Sequence, residues 1–158
     1  MKKNKFIITL ATILLVLLVL IVILVINLKN KTTFVKPKFD KLSVDQIPSD
    51  LNYESSALEI TNGYKIYIDA TPKVVDNYLN INFVSFDTNN IWIKIRVLDQ
   101  NSDVIAESGL VRPGEYLQKI KLDKKVAVKS KITYVIMGYE IDTYFSEGTI
   151  TLNTMVGE

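Results

Sequence analysis

Apolar side chains fill every position from Phe6 to Leu28 except Thr9, Thr12 and Asn27, and from about Leu51 onward they fall on alternate positions instead. These two patterns predict two different objects in series. The first run has 23 residues and no charge. As a helix, at about 1.5 Å per residue, it would extend roughly 35 Å, enough to cross a hydrocarbon layer of about 30 Å with some tilt. A buried core helix would show a polar face, and this run has none. It also exceeds the apolar region of a cleavable signal peptide, and the NLKNKTTFVKPK that follows offers no small-x-small cleavage site. A retained signal anchor over 6–28 is the expectation, and the lack of Gly within it predicts a tether with no small-residue pairing motif.

Lysines flank both ends of the span, so local charge orients it weakly. A five-residue tail bearing Lys2, Lys3 and Lys5 resists crossing, whereas a long following domain translocates largely regardless of charge. Residues 1–5 are therefore expected inside and the C-terminal domain outside the cytoplasmic membrane. Residues 29–50, with Pro37, Pro48 and little periodicity, read as a linker or stalk, part of which could dock on the domain or form a short helix.

Over 51–158 the period of two predicts half-buried strands. In NIWIKIRVLD, Ile91, Ile93, Ile95 and Val97 share one face, while Trp92, Lys94 and Arg96 share the other. Similar alternation runs through Tyr64–Asp69, Leu79–Val84, Tyr116–Asp123, Ile132–Ile136 and around Ile150 and Leu152, with a shorter run at DVIAES. Arg112-Pro113-Gly114-Glu115 carries Pro and Gly where a type II turn prefers them. Seven or eight short strands without an amphipathic helix predict an antiparallel β-sandwich.

Composition narrows the chemistry. The 158 residues contain neither Cys nor His, which excludes Ser-His-Asp triads, thiol chemistry, haem ligation and ordinary zinc sites. No cofactor or metal site is expected, and no enzyme. Of 19 Lys plus Arg, 16 remain beyond the N-terminal tail against 17 acids, so charge does not predict a nucleic-acid binder. Asp99, Asn101 and Asp103 have the spacing that opens a calcium loop, but Val104 stands where that loop needs Gly and Leu110 where it needs Glu. A hairpin turn is the simpler reading. Glu140, Asp142 and Glu147 could form a hydrolytic carboxylate pair, against the simpler reading of solvated loop acids.

The remaining candidates are aromatic. Tyr67, Trp92, Tyr139 and Tyr144 fall on or near positions assigned to solvent, where flat amphipathic rings could stack on sugars or anchor a protein partner. Cross-strand packing on a partly covered face is the plainer explanation. Exposed edge strands offer a second route to a partner.

Three stretches, LDQNSDVIAESGL, VRPGEYLQKIKL and ITYVIMGYEIDTYFSEGTITLNT, carry a resemblance. Over about 60 residues, with a Ser-Gly-Leu step followed by a Pro-Gly-Glu turn, the chain resembles small single-pass extracytoplasmic proteins of Gram-positive bacteria that share an immunoglobulin-like domain. It departs from them in having Val126-Ala127-Val128-Lys129 where a glycine-containing turn is usual. The resemblance implies an immunoglobulin-like sandwich on an anchor and transfers no active site. The expected function is a membrane-tethered, non-enzymatic binding or assembly module of the cell envelope with an envelope protein as partner. A module binding a cell-wall polymer is the alternative, and a carboxylate-based hydrolase the third.

Overall fold

The computed structural model describes residues 13–23, 34–60 and 63–158. The chain divides into two compact units, Met1–Val35 and Lys36–Glu158. In the first, 13–23 form a helix, α1, whose side chains are all exposed. Among the described residues no helix is long and apolar enough to cross a membrane. The rest of the 6–28 run, the 1–5 tail and linker positions 29–33 lie outside the described residues.

The second unit is built of strands, in the order β1 (Ser43–Val44), β2 (Leu58–Glu59), β3 (Lys65–Tyr67), β4 (Lys73–Val75), β5 (Tyr78–Ser85), β6 (Ile91–Asp99), β7 (Val104–Val111), β8 (Tyr116–Lys121), β9 (Lys131–Glu140) and β10 (Ser146–Met155). One antiparallel sheet runs β1-β8-β5-β3-β2, with β4 also on β5, and the other runs β10-β9-β6-β7. Every strand expected from alternation is present. The additional ones, β1, β2 and β4, have two or three residues each, too few to show a period.

The strands form where β-branched and aromatic residues alternate with polar ones, and the alternation assigns the faces. Ile91, Ile93, Ile95 and Val97 of β6 meet Ile66, Leu79, Ile81, Phe83 and Leu117 of the opposite sheet in one apolar cluster. At roughly 2 kcal/mol for each fully buried large apolar side chain, this shared layer supplies the main drive to fold without disulfides. A second cluster, Val84, Phe86 and Tyr116, lies beneath Ile47, Leu51, Tyr53 and Ala57.

Turn chemistry closes the strands. Glu115 N–H donates to Arg112 O (3.2 Å) and Gly114 adopts φ +80°, as the type II reading requires. In the β6–β7 turn, Asp99 Oδ1 accepts the N–H of Asn101 and of Asp103, each at 2.9 Å, so this carboxylate shapes the hairpin. Lys129 carries the positive φ (+65°) in the 127–130 turn, the conformation that glycine adopts without strain.

The segment read as a linker is part of the sandwich from Lys38. Leu110 N–H donates to Lys38 O and Asp40 N–H to Leu110 O, both at 2.8 Å, so 38–40 runs parallel along β7. β1 then joins β8 in the other sheet. On this side the sheets are also joined by a bridge between Ala106 and Leu122 and by Asp123 N–H donating to Ile105 O. The opposite side, between β3 and β10, is tied at one end, where the Thr154 hydroxyl donates to Ala70 O and Gly157 N–H to Pro72 O.

Candidate binding surfaces

Three of the four sequence-predicted aromatics come together on the outer face of the four-stranded sheet. Register places Trp92 of β6 directly opposite Tyr139 of β9. The β9–β10 turn, closed by Glu140 N–H donating to Phe145 O, brings Tyr144 to 5.0 Å from the Trp92 ring. A fourth ring, Phe39, meets Trp92 edge-on at 4.9 Å. The Arg112 guanidinium lies 3.6 Å above Phe39, and Lys36 Nζ lies 4.7 Å from the Tyr144 ring. Each such cation over a ring is worth about 0.5–1 kcal/mol at an exposed site. Trp92 is therefore half-buried and clamps the entering segment to the sheet, while Tyr139 beside it donates its hydroxyl to Met137 Sδ at 3.8 Å.

Tyr67 does not belong to this group. It pairs with Val84 in the other sheet and packs against the Val84, Phe86 and Tyr116 cluster. Burial and the neighbouring Asp69 push its phenol up. The physical reason for the separation is simple: alternation tells which side of its own strand a residue takes, but not which sheet the strand joins. Phe39 was missed because it stands in the irregular 29–50 stretch. Phe145, 71 % exposed at the β9–β10 turn, was missed because no alternation marks a turn residue.

Along β6 and β7, Glu107 takes both Lys94 and Arg96 as ion-pair partners. Burial raises its carboxyl, but the hydrogen bonds and charges of those two residues outweigh this and hold it below the ordinary carboxylate range. At Glu115 the same contest ends the same way. Its Oε2 accepts Arg112 N–H (2.8 Å) and Ser43 Oγ–H (2.9 Å), its Oε1 accepts Arg112 Nη1–H (2.8 Å), and its carboxyl is lowered against the effect of burial.

Glu140, Asp142 and Glu147 do share one hollow, with Tyr64 and Asn90 on its walls. All three are exposed, and the Glu140 carboxylate accepts the Thr143 hydroxyl.

The open side of the sandwich holds a further feature that alternation did not reveal. Between β2–β3 and β10 lies a cleft of about 390 Å³, with Leu58, Tyr67, Ile68 and Asp69 on one side and Leu152–Thr154 on the other. Tyr134 of β9 lines it from the core. The Tyr134 phenol is buried without a hydrogen-bond partner among the described residues, and burial, with Asp69 adding to it, pushes its ionisation far up. Asp69 Oδ2 accepts Asn82 Nδ2–H at 3.2 Å, and Asn82 Oδ1 accepts the Tyr116 hydroxyl at 2.6 Å.

No protein-family model matches the chain, and no curated protein or solved structure is significantly similar to it. The site's own geometry therefore carries the functional argument.

Proposed function

We propose that this chain is a membrane-tethered, non-enzymatic binding or assembly module of the cell envelope. In this reading residues 6–28 are a single-pass signal anchor, 1–5 are cytoplasmic, and the β domain is displayed outside the cytoplasmic membrane to an envelope protein. The observation that carries the binding role is β10, a ten-residue strand at the end of its sheet, exposed along most of its length and bordering a cleft. Support for the tether comes from the sequence, where the 23 residues from Phe6 to Leu28 carry no charge and no polar face. A partner held at the same membrane gains effective concentration from the anchor, so a weak contact suffices.

The immunoglobulin-like reading, and with it the likeness to the Gram-positive group, draws support from connectivity. The chain crosses between sheets at β5–β6, β7–β8 and β8–β9, as a Greek-key sandwich does. The alternative, a wall-glycan module, is favoured by Trp92 and Tyr139 lying side by side on a sheet face.

Crosslinking of the full chain in native membranes, followed by affinity capture, separates these readings. A defined set of envelope proteins is expected, with no retention on purified cell wall. Wall retention that disappears in Trp92→Ala, without protein capture, would replace the protein-partner reading with the glycan one. Turnover of a wall substrate lost in Glu140→Gln would replace both.

A further inference from the structure

The far edges of the sandwich are not treated alike. β7 is covered by 38–40, and β1, β2 and β4 are two or three residues long. β10 alone presents a long edge, and among the described residues no strand lies on its free side. From Gly148 to Val156 it carries no charge and no proline, the features that normally protect such an edge.

Beside that edge, Leu152 and Leu58 face a common cleft lined from the core by Tyr134, a residue 1 % exposed whose hydroxyl has no partner among the described residues. An extended strand supplies backbone groups for the open edge and a side chain for the cleft.

We propose that β10 is the acceptor edge for an extended strand of a partner protein, with an apolar side chain of that strand seated in the Leu58–Tyr134–Leu152 cleft and a basic residue toward Glu147. The proposal rests on the binding-module reading and names its partner class. Charge gives the basic end: from Ile132 to Val156 the chain has Glu140, Asp142 and Glu147 and no Lys or Arg. The shape favours one strand over a second copy of the domain. β2 lies one strand further out than β3 and lines the same cleft as β10, so an adjoining copy would bring its own β2 into that space.

The test uses the full chain in phospholipid nanodiscs and the acetylated octapeptide Lys-Thr-Val-Thr-Phe-Thr-Val-Lys. Hydrogen exchange of the amides from Thr149 to Asn153 is expected to slow by about tenfold or more at saturation. Exchanging both peptide lysines for glutamate should weaken binding about tenfold, and N-methylation at alternate peptide positions should abolish it. Leu58→Lys should weaken binding while the thermal midpoint is held. No binding at millimolar peptide, or binding indifferent to N-methylation, overturns the proposal. Protection of β10 that rises with protein concentration alone overturns it in favour of a second copy. If the peptide fails but captured envelope proteins persist, the strand-acceptor idea falls and the binding-module reading stands.

Discussion

Gly109→Ala is expected to destabilise the β domain by about 3 kcal/mol, the upper part of the range for overpacking a rigid site. A Cβ at Gly109 would lie 2.4 Å from Asp40 N, 2.6 Å from Asp40 Cα and 2.7 Å from Phe39 C. All three are backbone atoms and cannot rotate away. Relief requires 38–40 to move off β7, which breaks Leu110 N–H to Lys38 O, Asp40 N–H to Leu110 O and Gly109 N–H to Asp40 Oδ2. The same movement withdraws Phe39 from the only tryptophan, so fluorescence reads the event directly. Urea titration should show a lower midpoint, and Trp92 emission should shift to the red before the sheets unfold. An unchanged midpoint with unchanged emission would mean that 38–40 does not hold this position.

Glu115→Gln should cost about 1.5–3 kcal/mol, because hydrogen bonds to a charged group are the ones lost. The Glu115 side chain is 6 % exposed and joins Ser43 of β1 to the turn that starts β8. Its partner Arg112 is half exposed and keeps water when the pair is broken, so the cost stays below that of stranding a buried charge. The pH dependence follows from the lowered carboxyl. Its stabilisation is fully present above the ordinary glutamate value of about 4.3 and disappears as pH falls through the lower folded value. Glu107 is lowered in the same direction, but its pair is a third exposed and adds at most about 1 kcal/mol. Wild type should thus lose stability on the acid side of that value, and Glu115→Gln should flatten that limb. An acid limb of equal slope in both proteins would assign the loss to other carboxylates.

Much of the fold was legible because local rules and tertiary packing agree. Alternation in IWIKIRV placed β6 and its two faces, and Pro113-Gly114 placed the turn into β8. That part of 29–50 could dock was legible from its apolar residues, but where 38–44 docks was not, since that depends on the bare Cα of Gly109 far along the chain. One of the four expected aromatics, Tyr67, fell outside the expected surface because alternation does not tell which sheet a strand joins. Trp92 and Tyr139 share a face by register, but Phe39 covers part of it, and Tyr67 follows β3 into the other sheet. The TITLNTM pattern announced a strand; its position at a sheet edge emerged only from strand order. The uncharged run at Phe6–Leu28 is the basis of the proposed display, and the cleft beside β10 that of the proposed binding.

The central claim is display outside the membrane on an N-terminal tether, and one introduced thiol tests it. The chain has no cysteine, and Asn101 is exposed in the β6–β7 turn. With Asn101→Cys in intact cells stripped of any outer envelope, a membrane-impermeant maleimide should label the protein fully, and the labelled chain should sediment with membranes. Labelling only after permeabilisation, or recovery of the full-length chain in the soluble fraction, would contradict the account.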